Sequence, residues 1–263
     1  MTHYTLITGA SGGIGEALAH EFAKHNQNVI LVARNEVTLN NLKTKLISIY
    51  KIKAEVIVID LTEDNATQRI LDIIQTNHWH VDTLINNAGT GYRASFLESD
   101  YDRQMNMLKL NIEALVSLTY LLGQKMKEKG GGRILNISSL ASLAPGPYMA
   151  VYYASKAFVS AFSEGLKEEL KDTNITVTTL NPGPTETAFQ VVSDLENSNM
   201  FKRLHVAPAD KVAKVGYEAL IKNKTKVYYG LNGKIMAILT KIIPTYITRK
   251  FTSLINRKPK EHH

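Results

Sequence analysis

At 263 residues, with 44% hydrophobic and 21% charged side chains and a net charge of +7, the chain has the size and composition of one large globular domain. The complete lack of cysteine excludes a disulfide framework, a thiolate metal site and a cysteine nucleophile. The charge sits at one end: Lys234, Lys241, Arg249, Lys250, Arg257, Lys258 and Lys260 stand against one acid, Glu261, while the 24 basic and 23 acidic residues before them leave a body of only +1. A near-neutral body argues against a nucleic-acid surface. No apolar run reaches the ~18 residues of a membrane span, and Met1-Thr2-His3-Tyr4 lacks the layout of a signal peptide, so a cytoplasmic location is expected.

In chain order, short β-branched runs at 5–8, 29–33, 55–59, 83–86, 133–137 and 176–180 alternate with longer segments such as 16–25, 66–76, 105–127 and 156–171. Most of the runs are continuously apolar, as parallel strands covered on both faces are. The intervening segments are long enough for crossover helices. The pattern predicts a single-domain α/β fold, a doubly wound parallel sheet with helices on both faces. A late run at 226–229 is expected to close one edge as about the seventh strand. The body spans 1–233, with a loop at about 188–210, and the basic tail spans 234–263.

Thr8-Gly9-Ala10-Ser11-Gly12-Gly13-Ile14-Gly15 joins the first strand to the first helix. Glycines there let a backbone turn tightly and approach a pyrophosphate, and the helix N-terminus offers unpaired N–H groups to it. The spacing Gly9-x-x-x-Gly13-x-Gly15, together with Asn86-Asn87-Ala88-Gly89 after the fourth strand, resembles the short-chain dehydrogenase/reductase family. That resemblance implies a Rossmann-type nucleotide-binding fold and a nicotinamide cofactor. Gly9, Ser11, Gly12, Gly13, Ile14, Gly15, Asn87, Ala88 and Gly89 would line its site.

Where an NAD enzyme of this architecture places an acid, the second strand ends at Ala33, followed by Arg34. A guanidinium suits a 2′-phosphate, so NADP(H) is expected over NAD(H). Arg34 also reads as a solvated loop cation, and Glu36 stands close by. Asp60-Leu61 follows the third strand. By the resemblance it contacts adenine, and Asp60 is equally suited to cap the following helix.

Tyr152-Tyr153-Ala154-Ser155-Lys156 places Tyr152 and Lys156 four apart, on one helical face. A nearby ammonium favours phenolate and is expected to lower the Tyr152 pKa, fitting it for proton exchange with a substrate oxygen. Tyr153, three residues from Lys156, is the competing phenol. The family spacing fits Tyr152. By the same resemblance Ser139, thirteen residues earlier, bonds the carbonyl oxygen, and Asn111 holds a water in a proton relay. Ser138 and Ser142 flank the favoured serine. Asn181-Pro182-Gly183-Pro184-Thr185-Glu186-Thr187 resembles the family's nicotinamide-holding segment, which adds Pro182, Gly183, Thr185 and Thr187 to the cofactor residues.

Phe189, Val191, Val192, Leu195, Met200 and Phe201 suit a pocket lining or lid packing, and Tyr92, Arg93, Leu143 and Tyr148 border the same region. The histidines show no metal-ligand spacing, and His78-Trp79-His80 reads as a helix end; no metal is expected. In the tail, Ile235, Met236, Ile238, Leu239, Ile242 and Ile243 keep helical spacing up to Pro244. Beyond it Ile247, Phe251, Leu254 and Ile255 form one face, with Lys250 and Arg257 on its flank. Such a basic amphipathic tail suits peripheral contact with an anionic membrane, a partner, the body itself or a second subunit.

The expectation is therefore an NADP(H)-dependent oxidoreductase acting on a small carbonyl or alcohol, as a homodimer or homotetramer. The alternatives are a catalytically silent NADP(H)-binding sensor or scaffold, and a membrane-associated reductase of a lipid-like ketone.

Overall fold

The seven expected runs become β1 (His3–Thr8), β2 (Asn28–Ala33), β3 (Ala54–Val58), β4 (His80–Asn86), β5 (Gly132–Ile137), β6 (Ile175–Asn181) and β7 (Lys226–Tyr228). All pair in parallel, in the order β3-β2-β1-β4-β5-β6-β7. The computed structural model describes residues 2–187, 193 and 206–257. Strand side chains alternate between two cores. Ile7 and Leu31 face α1 (Gly13–Lys24), α2 (Glu36–Tyr50) and α7 (Ala209–Ile221) through Leu18, Phe22, Leu39 and Val212. Leu6 and Ile30 face α3 (Ala66–Thr76) and α5 (Ala114–Glu128) through Ile70, Ile74, Leu118 and Leu122. Burial on both faces is why most of the central strands read as nearly continuous apolar runs. The strand order reverses between β1 and β4, so a crevice opens beyond their carboxyl ends, where ligands bind in such sheets.

Four local expectations shift. The helix expected over 105–127 is divided into α4 (Tyr101–Leu108), a π-helical turn (Lys109–Glu113) and α5, because an extra residue is accommodated in the turn that carries Asn111. Asp60 does not cap a helix: α3 begins only at Ala66, after Asn65 in the left-handed region at φ 58°. His78 does follow the end of α3, in the left-handed region at φ 53° and with its N–H donating to Gln75 O, but His80 already belongs to β4. The helix carrying Tyr152 is α6 (Ala150–Glu169), which starts six residues before the segment expected at 156–171.

The tail forms α8 (Gly230–Ile242) and α9 (Thr245–Asn256), with Pro244 between them capping α9. Among the described residues, no helix is long and apolar enough to cross a membrane. Helix α9 is tied to the body by polar contacts. Thr252 Oγ1 donates to Pro145 O at 2.6 Å, and the fully buried Asn256 donates to Pro147 O at 3.1 Å and accepts from Tyr153 OH at 3.4 Å. Asn256→Leu removes the partner of the buried Tyr153 hydroxyl and of the half-buried Pro147 carbonyl, a loss of ~1–3 kcal/mol. A thermal melt of that variant is expected to shift down by several degrees, and an unchanged melt would show that α9 does not anchor this region.

Candidate active site

The glycine loop is shaped by close approaches. Gly9 and Gly13 lie in the left-handed region, at φ 65° and 57°. A Cβ on Gly15 would stand 2.1 Å from Gly9 O, and one on Gly13 would stand 2.7 Å from Thr187 Cγ2. Gly12 is different, since a Cβ there would meet nothing within 4 Å. The backbone at Gly12 therefore faces open space, and no side chain caps the first turn of α1 behind it. An open glycine backbone beside uncapped helix N–H groups fits a pyrophosphate.

The residues expected around this loop divide into those that brace it and those that face the cleft. Asn87 braces: its Nδ2 donates to Thr8 O at 2.9 Å and Gly9 O at 3.2 Å. The backbone N–H groups of Asn87 and Ala88 both donate to Thr8 Oγ1 at 3.0 Å. The Leu61 side chain belongs to one apolar core, and the half-buried Ile14 packs on the other one. Ser11 is half-buried. Pro182 O accepts from Leu140 N at 2.9 Å, and a Cβ on Gly183 would lie 3.3 Å from Leu140 Cδ1, so this turn is seated directly behind Ser139. Thr185 is buried with its hydroxyl donating to Gly183 O at 3.0 Å, and Thr187 reaches back to Gly13.

Arg34 projects beyond the end of β2 with its side chain 76% exposed, and its Nη1 lies 3.4 Å from Asp60 Oδ2. The other Asp60 oxygen accepts from Thr62 N and Oγ1 at 2.9 and 2.8 Å. Burial raises the Asp60 carboxyl, but the two Thr62 hydrogen bonds and the Arg34 charge outweigh it and hold the pKa below the usual range. Asp60 is thus a fixed anion, and Arg34 is a long, exposed cation held only loosely to it.

Tyr152 and Lys156 come together on α6, both buried, and the side chains of Tyr152 and Ser139 are hydrogen-bonded. Lys156 Nζ donates to Ile137 O, the last carbonyl of β5, at 3.0 Å. Gly89 makes room for this arrangement, since a Cβ on it would stand 3.2 Å from both Lys156 Nζ and Asn111 Oδ1. Asn111 is locked by protein partners: Nδ2 donates to Thr90 O at 2.9 Å and Ser155 Oγ at 3.0 Å, while Oδ1 accepts from Thr90 N at 2.9 Å. Both amide hydrogens being used, Asn111 ties the π-turn, the segment after Gly89 and α6 into one unit.

The structure separates the competing side chains. Ser138 is turned inward, donating to Lys156 O at 2.8 Å and lying 2.9 Å from Ser160 Oγ. Ser142 bonds Ser139 O at 2.7 Å. Tyr153 points to Asn256, and a Cβ on Gly146 would fall 2.2 Å from its ring. Tyr92 packs beside Met107, Met149 and the two tyrosines, and Tyr148 adopts the left-handed region while its carbonyl accepts from Ala94 N at 2.9 Å. Arg93 is buried and Leu143 half-buried. Phe189, Val191, Val192, Leu195, Met200 and Phe201 lie outside the described residues.

The phenol differs from its expected state. Burial pushes Tyr152 up to about 12, with Ser139 acting against that rise and Tyr153 adding to it. Lys156 is itself brought down to about 8 by burial. Burial, rather than the ammonium–phenol pairing expected from the spacing, thus sets the direction of both shifts.

A buried polar ladder beneath the site escaped sequence reading. Asn86 Nδ2 bridges Thr119 Oγ1 and Asn136 Oδ1 at 2.9 Å each, Asn136 Nδ2 reaches Ser163 Oγ at 2.8 Å, and Ser160 Oγ donates to Asn181 Oδ1 at 3.2 Å. These bonds pin α5 and α6 across β4, β5 and β6. The available signal was one asparagine near the carboxyl end of each of three successive strands.

A parallel sheet with a glycine-rich turn after β1 and a Tyr–Lys–Ser cluster beyond β5 defines an oxidoreductase of the nucleotide-binding α/β class. The family model for short chain dehydrogenase matches residues 3–197, and the chain belongs to that family. It is 34% identical to sulfoacetaldehyde reductase 2 of Chromohalobacter salexigens over 73% of this chain and 76% of that one. It is 35% identical to a very-long-chain 3-oxoacyl-CoA reductase of Anas platyrhynchos, over 68% of this chain and 58% of the relative. Among solved structures, a short-chain dehydrogenase from Sphingobium yanoikuyae in complex with NADPH superposes with a TM-score of 0.81 at 26% identity, covering 92% of this chain and 97% of that one.

Proposed function

We propose that the chain is an NADP(H)-dependent oxidoreductase that interconverts a carbonyl with a secondary or primary alcohol, using Tyr152 as general acid and base. The observation that carries this reading is buried Tyr152, hydrogen-bonded to half-buried Ser139 and one helical turn from buried Lys156, whose Nζ donates to the last carbonyl of β5. The open backbone at Gly12 and the start of α1 would hold the cofactor's pyrophosphate, Arg34 its 2′-phosphate, and Thr185 and Thr187 its nicotinamide end. When bound, that cofactor supplies or accepts the hydride.

The remaining work falls to this chain. In reduction Tyr152 donates its proton to the substrate oxygen, which the Ser139 hydroxyl also holds and so stabilises as it gains charge. Lys156 contributes positive charge and donors toward ribose hydroxyls. Asn111, held by Thr90 and Ser155, keeps α6 in register with the Gly89 segment. We assign its relay water to whatever acceptor capacity the locked side chain and its main-chain carbonyl retain. Exposed Tyr120 on α5 and Phe158 on α6 suit association into a homodimer or homotetramer, which light scattering in solution would check.

The pKa directions set the pH dependence. With Tyr152 near 12, the phenol stays protonated and ready to donate across neutral pH. Lys156, near 8, is charged below that value and loses its charge above it. The expected kcat/KM for reduction is flat below about 8 and falls above it, whereas alcohol oxidation, which needs phenolate, rises with pH. A reductive rate that climbs through alkaline pH would contradict these assignments. The proposal as a whole is tested by NADPH consumption across ketones, aldehydes and diketones.

A further inference from the structure

Helices α8 and α9 are turned inside out relative to an ordinary surface helix. On α8 the residues facing the body are small: Gly233 and Ala237 are buried, and Gly233 lies against Tyr228 and Leu140. On α9 the body contacts are polar, through Thr252 and Asn256. The large apolar side chains face outward instead. Leu231 is 71% exposed, Ile242 74% and Leu254 70%, and Ile235, Ile238, Ile247 and Phe251 are exposed with them.

Their spacing makes two stripes. At ~100° per residue, positions 231, 235, 238 and 242 fall within a narrow arc of α8, and positions 247, 251 and 254 do the same on α9. The same rotation puts Lys234 and Lys241 on one flank of the first stripe, and Lys250 and Arg257 on the corresponding flank of the second. Residues 230–257 contain five basic side chains and no acid, against a body that is almost neutral.

We propose that α8 and α9 form a docking surface for a bilayer containing anionic phospholipid. The exposed stripes supply side chains that enter the acyl boundary. The flanking cations supply charge for the headgroups, their aliphatic stems lying along the apolar surface. Charge decides between this occupant and a second copy of the chain. A two-fold interface built on this face would set an acid-free cationic segment against itself, while an anionic surface complements it. The inference rests on the tail alone and is independent of the catalytic reading.

The test is co-sedimentation of the full chain with phosphatidylcholine vesicles, with and without phosphatidylglycerol. Binding is expected to the anionic vesicles and to weaken as salt is raised. The Ile242→Glu/Leu254→Glu variant changes only exposed positions, so circular dichroism and the thermal melt should match wild type while vesicle binding falls about tenfold or more. Lys241→Ser/Lys250→Ser should lower binding to anionic vesicles and leave any binding to neutral ones unchanged. Absence of binding to anionic vesicles overturns the proposal, as does binding that survives the double glutamate variant. A dimer in solution that the glutamates dissociate, with no vesicle binding, would assign the face to a second copy instead.

Discussion

Tyr152→Phe should reduce kcat for carbonyl reduction by about 10²- to 10⁴-fold, the usual contribution of a positioned general acid. The substitution removes one oxygen from a buried side chain whose ring packs among Met107, Met149 and Tyr153. Ring packing is retained, so the fold and NADPH affinity should stay near wild type. The loss belongs to the proton alone. Tyr153 is no substitute, because α6 rotates it ~100° away and its hydroxyl is committed to Asn256. The variant should therefore show an intact melt, near-normal NADPH titration and almost no turnover. Retained turnover would transfer the acid to another group.

The second large effect is on cofactor choice. Arg34 is an exposed cation immediately beyond β2, loosely paired with Asp60, while Ala33 leaves the usual carboxylate position uncharged. A hydrogen bond to a charged group is worth ~1.5–3 kcal/mol, so removing the guanidinium should weaken NADPH use about 10- to 100-fold. Placing a carboxylate at position 33 adds repulsion toward a 2′-phosphate and a partner for a 2′-hydroxyl. Ala33→Asp/Arg34→Ser should thus invert the ratio of kcat/KM for NADPH over NADH. Asn35 continues to cap α2 through Thr38 N in that variant, so the local fold is kept. Equal use of both cofactors by the wild type would remove the role given to Arg34.

The sheet was legible because its strands are buried on both faces and so appear as apolar runs, and even the short edge strand β7 was visible at 226–229. The Tyr152–Lys156 pair was legible because helical geometry converts a spacing of four into a shared face. What stayed hidden depends on contacts between segments distant in sequence. The π-turn at Asn111 has no local composition that announces it. Asn87 reads as a cofactor ligand from its motif, yet its amide hydrogens are spent on Thr8 and Gly9. The phenol's upward shift arises from enclosure by several elements, which spacing cannot convey. The tail's amphipathicity was plain from its sequence, but not that its large apolar side chains face outward and its small and polar ones inward.

The central claim is that this member of the short chain dehydrogenase family uses NADPH to reduce a carbonyl through Tyr152. The most direct measurement follows the loss of reduced-nicotinamide absorbance on a panel of ketones, aldehydes and diketones, with wild type and Tyr152→Phe side by side. The expected result is turnover of at least one compound by the wild type, with NADPH preferred, and its near-complete loss in the variant. NADPH binding without turnover of any carbonyl, or equal turnover by both proteins, would contradict it.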